Sequence, residues 1–156
     1  MNKNKPEGKL GVLIPGMGAV ATTFIAGIEA IKLGKGSPIG SMTQMGTIRL
    51  GKRTDKKVPL IKDFVPLAKL DDLVFGGWDI NEESVYDICI RSNVLEHSTI
   101  NSLKTTLEKI DLWPAVFDKK YVRRLDGTYV KTGKTKMELA KQVEENITTF
   151  TDKHNT

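Results

Sequence analysis

The stretch GVLIPGMGAVATTF, Gly11 to Phe24, limits the possible folds more than any other part of the chain. Leu10 to Ile14 is a short apolar run with Val and Ile, bounded by Gly11 and Pro15, and reads as a buried strand. A helix is expected from about Ala19 to Leu33, with Val20, Phe24, Ile28 and Ile31 on its stripe and Gly34 and Gly36 at its end. Between them GMGAVA satisfies G-x-G-x-x-A. Gly16 permits a tight turn, Gly18 lets backbone approach a pyrophosphate, and Ala21 lets helix and strand pack closely. The first helical N–H groups would then face the phosphates. A tight β–α corner without a ligand needs the same small residues, so the spacing alone leaves both readings open.

The rest of the chain repeats the strand-then-helix alternation. Leu73 to Phe75 reads as a second strand broken by Gly76 and Gly77. Asn81 is placed to cap a helix, with Glu82 and Glu83 in its first turn and Val85, Ile88, Cys89 and Leu95 on its stripe. Another helix is expected from about Ser98, through Ile100, Leu103, Leu107 and Ile110. Pro114 interrupts, and a third strand is expected near Ala115 to Phe117. Asp126 and Gly127 mark a bend. Thr135 and Glu138 form a capping box for a last helix with Ala140, Val143, Ile147 and Phe150 as its stripe. A strand around Thr47 to Leu50 is also possible. The predicted class is α/β, a Rossmann-like parallel sheet with flanking helices, incomplete at this length. Residues 1–8 are expected to be disordered, 9–150 to form the domain and 151–156 a tail.

Composition narrows the function classes. With 156 residues, 39% apolar and 28% charged, the chain suits one soluble globular domain, and no apolar run reaches the length of about 18 residues a membrane span needs. Cys89 is the only cysteine, so neither an intrachain disulfide nor a cysteine metal site is expected; this suits the cytoplasm. It lies on an apolar stripe and reads as core rather than nucleophile. The net charge of +5 gathers in GKRTDKK (Gly51 to Lys57) and KKYVRR (Lys119 to Arg124). Both read as solvated loops, because no nucleic-acid-binding motif accompanies them. His97 reads as a surface or capping residue, and His154 lies in the expected tail.

A dinucleotide reading requires an acid about 20 residues beyond the glycines, at the end of the next strand. The segment there, KLGKGSPIG, has none. Asp79, after the second predicted strand, is the candidate, with Gly76 and Gly77 allowing a ligand to come close. A plain helix-start carboxylate is the other reading of Asp79.

Several longer segments then carry a specific resemblance. SMTQMGTIRLG, FVPLAKLDDLVFGGWDI and RSNVLE, in this order after a GxG turn, resemble inositol-3-phosphate synthase, well over Lys9 to Leu112 and more loosely from Trp113 to Thr156. The resemblance implies a Rossmann domain that binds NAD. It implies an isomerase converting glucose-6-phosphate to inositol 3-phosphate through oxidation, aldol cyclisation and reduction, and a homo-oligomer, commonly a tetramer. Carried over by position, Gly16, Gly18, Ala19, Val20 and Ala21 line the pyrophosphate turn. Thr22 and Thr23 are the remaining polar donors there. Asp79 matches the aspartate near the adenosine ribose, flanked by Trp78 and Ile80. Ser41, Met42, Thr43 and Gln44 match the SMTQ segment without an assigned role. AVATT replaces the asparagine-rich turn of eukaryotic members, which is closer to the prokaryotic branch. The family's catalytic lysines and nicotinamide-side acid match nothing in this sequence. The expectation is therefore the front, NAD-binding part of the enzyme, inactive alone, poorly stable or self-associating. A non-catalytic nucleotide-binding or interaction module is the alternative, and a nucleic-acid surface at KKYVRR is a weaker third reading.

Overall fold

The computed structural model describes residues 8–156, so the disordered start expected for residues 1–8 lies outside the described residues except for Gly8. The elements run β1 (Leu10–Pro15), α1 (Ala19–Lys32), α2 (Met42–Met45), α3 (Ile61–Phe64), β2 (Leu73–Asp79), α4 (Val85–Ser92), α5 (His97–Ser102), α6 (Lys104–Leu107), β3 (Asp111–Pro114) and α7 (Lys136–His154). The three strands form one open parallel sheet in the order β1-β2-β3. Leu10 pairs with Leu73 and Pro15 with Trp78; Gly76 pairs with Asp111 and Asp79 with Pro114. A parallel sheet needs a crossover between strands, and the helices supply it, covering apolar strand faces. α1 and α4 to α6 bury Ile25, Ala26, Val85, Ile88, Ile100, Leu103 and Leu107 against Phe75. On the other face, α7 inserts Phe150, which is 1% exposed.

The glycines of β2 do not break the strand. A Cβ at Gly76 would lie 2.9 Å from the Phe150 ring, and one at Gly77 would lie 2.2 Å from the Ile14 carbonyl oxygen and 2.8 Å from the Met17 methyl. Gly76 therefore admits an α7 side chain and Gly77 admits the β1–α1 corner. Neither glycine makes room for a ligand, which corrects the expectation for both.

The buried side of α1 also differs from its apolar stripe. Thr22, Ile25, Ala26, Ile28, Glu29 and Ala30 face inward, while Val20 is 86% exposed and Phe24 half exposed. Small side chains let the helix axis come close to the sheet, and a stripe chosen by hydrophobicity alone does not weigh that. Glu29 is buried because Lys32 pairs with it at 2.7 Å, and Lys32 also donates to the Leu73 carbonyl at 2.6 Å.

Other boundaries shift for local reasons. Ser84, not Asn81, caps α4, its hydroxyl accepting the Asp87 N–H at 3.1 Å. The third strand ends at Pro114 instead of starting after it; β3 pairs with β2 along one side, and proline is tolerated where its missing donor would face away from the ladder. The helix expected from Ser98 forms as α5 and α6, separated at Leu103. The segment Thr47 to Leu50 is an arm rather than a strand: Ile48 N–H reaches the Pro59 carbonyl and Leu50 N–H the Lys57 carbonyl, with GKRTDKK at its tip. Thr135 does cap α7, accepting the Glu138 N–H at 3.2 Å, but Glu138 reaches the Lys134 N–H and not that of Thr135.

Residues 151–154 are helix and not tail, since α7 continues to His154. Its last turn is fastened to the start of β3, where Lys153 and His154 lie 2.6 and 3.0 Å from the two oxygens of Asp111. Burial works to raise the Asp111 carboxyl, but the hydrogen bonds and charges of Lys153 and His154 outweigh it and hold the group below its ordinary value.

Gly76→Val should lower the unfolding free energy by about 1–3 kcal/mol in urea melts, the range for overpacking a filled site; an unchanged midpoint would contradict the seating of Phe150. Asp111 has a depressed folded value, so its contribution is present above the ordinary carboxylate value and is lost as pH falls through the depressed one. Asp111→Asn should therefore cost about 1 kcal/mol or less at neutral pH, and the wild-type and variant melts should converge in acid.

Candidate functional site

The C-terminal ends of β1 and β2 open into one cleft of about 930 Å³. A second cleft, about 950 Å³, lies at the opposite ends of the strands beside Lys9, Lys32, Gln44, Lys62 and Asp71. Size does not choose between them. Topology does, because ligands of open α/β sheets bind beyond the carboxyl ends of the strands. The SMTQ segment forms the one-turn α2 and its neighbouring cap, and only Gln44 of it lines the second cleft; none of it lines the first.

The first cleft begins at the turn. Gly16 has φ +96°, a left-handed conformation that suits glycine, and its N–H donates to the Trp78 carbonyl at 2.7 Å. That bond carries the β1–β2 pairing one step past the strand. Gly18 is the N-cap of α1, and a Cβ built on it meets nothing within 4 Å. The space before it is open, so a close-approaching group has room there. No side chain caps α1 and no acidic residue lies in its first turn; the carboxylate near its positive end comes from β2, where Asp79 accepts the Met17 N–H just before the N-cap.

Thr22 occupies a different place from the one expected. It is fully buried, and its hydroxyl donates back to the Gly18 carbonyl at 3.1 Å. It braces the turn from behind and does not reach into the cleft, which corrects its expected role as a phosphate donor. Ala19 and Val20 are exposed at the helix start and Ala21 is half-buried.

Asp79 ends β2 on the same side of the sheet. Its Oδ2 accepts the Met17 N–H at 2.8 Å, and its Oδ1 accepts the Asn81 N–H at 2.9 Å and the Asn81 side-chain amide at 3.3 Å. The carboxylate is thus fixed in direction by three donors while remaining on the cleft wall with Ile80. Asp79, farther along the chain than the spacing rule expects an acid, stands at the end of the second strand. Residues 33–72, with α2, α3 and the arm, lengthen the connection and spoil the count.

The crossover after β3 makes the far wall. Ala115, Val116, Phe117, Val122 and Leu125 line it, and Val143 and Ile147 of α7 close one side. Gly127 presses against Ile80: a Cβ there would lie 2.4 Å from the Ile80 carbonyl oxygen, and Tyr129 N–H donates to that oxygen at 2.9 Å. An ion pair between Lys119 and Asp126 ties the loop across its base. So part of KKYVRR borders the cleft wall and is not only a solvated run.

Arg91 was not singled out from the sequence. It lines the cleft from the end of α4 and is paired with Glu83. The signal for it was weak, because the contact depends on how α4 folds back. Trp78 is buried, donating its indole N–H to Asn146 at 3.0 Å, so it flanks Asp79 from the α7 side. Cys89 is buried and its thiol is pushed up by burial, against a weaker contrary effect of its hydrogen bond to Thr22; it is core. Among the described residues no group of three or more His, Cys, Asp or Glu side chains could hold a metal ion, and no helix is long and apolar enough to cross a membrane.

An NAD-sized dinucleotide fits this set of groups on three observations: the open space before Gly18, a helix start with no side-chain cap, and one fixed carboxylate at the end of the second strand.

Comparison with known proteins agrees. Residues 10–156 match an NAD-binding family model described as myo-inositol-1-phosphate synthase. The chain is 44% identical over 144 residues to inositol-3-phosphate synthase 1 of Bacteroides thetaiotaomicron, covering 92% of this chain and 33% of that protein. It is 31% identical to the rice inositol-3-phosphate synthase 1, over 93% of this chain and 31% of the relative. The crystal structure of inositol-3-phosphate synthase from Caenorhabditis elegans superposes with a TM-score of 0.79 at 24% identity, covering 93% of this chain and 32% of that one; at this identity it supports the fold alone. The chain spans about a third of the length of the curated relatives it matches.

Gly16→Ala should cost about 1–2 kcal/mol of stability, because a side chain is strained at its φ. Gly18→Ala, facing open space at a negative φ, should cost less than about 1 kcal/mol. Thermal melts of the pair would separate the glycine that shapes the turn from the glycine that leaves room.

Proposed function

Since this chain belongs to the myo-inositol-1-phosphate synthase family, we propose that its cleft is the NAD site of an inositol-3-phosphate synthase. The observation that carries this is the fixed Asp79 carboxylate beside the Gly16–Gly18 turn, at the ends of adjacent parallel strands. In this reading the N–H groups at the start of α1 face the pyrophosphate, with Gly18, Ala19, Val20 and Ala21 against it. Asp79 accepts from the adenosine ribose hydroxyls, with Ile80 beside it and the apolar wall at Val116, Val122 and Leu125 available to the adenine ring. Asn81 and the Met17 N–H hold the carboxylate ready, so little rotamer freedom is lost on binding.

When bound, NAD supplies reversible hydride transfer, which suits the family reaction, glucose-6-phosphate to inositol 3-phosphate, where oxidation and reduction cancel. This chain's own residues bind and orient. They provide no candidate for moving protons at the sugar: the described residues of this cleft include one carboxylate, Asp79, and it is committed to three donors. In this reading proton transfer and sugar-phosphate binding are supplied from outside this cleft. We place the protein in the cytoplasm, consistent with its single buried thiol, and in a homo-oligomer.

Calorimetric titration of NAD into the 156-residue chain tests the site. Saturable binding should fall by about tenfold or more in Asp79→Ala, the order expected for lost hydrogen bonds to a charged group. It should also fall in Gly18→Val, which fills the approach. Equal affinity in wild type and both folded variants would contradict the assignment.

A further inference from the structure

The adenosine end of a dinucleotide site chooses between a ribose 2′-hydroxyl and a 2′-phosphate. A carboxylate accepts from the hydroxyl and repels the phosphate; an arginine attracts the phosphate. The cleft described above holds one of each. Among the described residues that line it, Asp79 is the one anion and Arg91 the one cation.

One edge of the Arg91 guanidinium is already engaged. Its Nε donates to Glu83 Oε1 at 3.2 Å and a terminal nitrogen donates to Glu83 Oε2 at 2.6 Å. That is a two-point contact along one edge of the guanidinium, the kind of contact a phosphate group would also make. Glu83 does not itself line the cleft; it lies in the short connection between Asp79 and the Ser84 cap of α4. Stability gives little reason for the pair, since the Arg91 side chain is 61% exposed and exposed pairs contribute about 0–1 kcal/mol.

We propose that Glu83 is a specificity-determining residue acting through Arg91: by occupying the guanidinium edge it keeps the cleft's cation from recruiting a 2′-phosphate. Discrimination against a 2′-phosphorylated dinucleotide then rests on Asp79 and Glu83 together. Asp79 repels the phosphate directly, and Glu83 removes the group that would attract it. This rests on the cofactor reading of the cleft.

The test is titration of NADP and NAD, separately, into the wild-type chain, Asp79→Ser, Asp79→Ser with Glu83→Ala, and that double variant with Arg91→Ala added. The double variant should bind NADP about tenfold more tightly than Asp79→Ser, the order of one charge-assisted hydrogen bond. Its NAD affinity should stay close to that of Asp79→Ser. The gain should shrink at high salt and disappear when Arg91 is removed. A structural role for Glu83 would instead move NAD and NADP binding together, along with the melting temperature. Equal NADP affinity in the single and double variants, with NAD binding intact in wild type, overturns the proposal and leaves the cofactor site standing. A folded wild-type chain that binds neither nucleotide overturns the cofactor reading and this proposal with it.

Discussion

The Asp79 carboxylate fastens the two halves of the cleft together. One oxygen holds the Met17 N–H in the corner between β1 and α1, and the other holds Asn81 at the start of the β2–α4 connection. With the Gly16 N–H bonded to the Trp78 carbonyl, the glycine turn and the end of β2 form one unit. Such a unit needs the strands side by side and parallel, in the register that puts Pro15 opposite Trp78. A slip of one residue would turn Asp79 to the α7 face and leave the turn without its acceptor.

That register is set by packing on both sides of β2. Gly77 lets Ile14 and Met17 come down on one face, and Gly76 lets Phe150 come down on the other. The α1 face is then filled by a continuous core, and the α7 face by Phe150 with Trp78 and Trp113 around it. The arrangement is economical in side chains but strict. Two adjacent glycines in a strand weaken it intrinsically, and here they are retained because both neighbours need the space.

The cleft joins rigid and adjustable parts. Its floor is built from strand ends and a helix start, and its far wall from the long crossover between β3 and α7. Gly127 and Tyr129 pin that crossover to Ile80, the residue next to the acid. The direction of the Asp79 carboxylate and the position of the wall are therefore coupled through one short backbone segment, 79–81. The charged groups follow the same economy: one carboxylate fixed by amides, and one guanidinium held from behind by Glu83.

Much of this was legible in the sequence. The strand–glycine–helix pattern at Gly11 to Phe24 gave the class, because local hydrophobic period and turn chemistry are written in consecutive residues. The segments SMTQMGTIRLG and FVPLAKLDDLVFGGWDI identified the family, and Asp79 stood out as the candidate for the missing acid. What sequence could not determine depended on residues far apart in the chain meeting in space. The buried side of α1 followed from how closely small side chains let it approach the sheet, not from where Val20 and Phe24 fell. The reason for Gly76 lay in Phe150, at the other end of the chain. Thr22 is buried with its hydroxyl donating back to the Gly18 carbonyl, which also accepts the Thr22 N–H. His154, which looked like a tail residue, met Asp111 because α7 crosses back along the sheet. The sequence by itself determined the kinds of element and their order; only the tertiary structure decided which faces touch, since contact depends on shape and distance that no local pattern records.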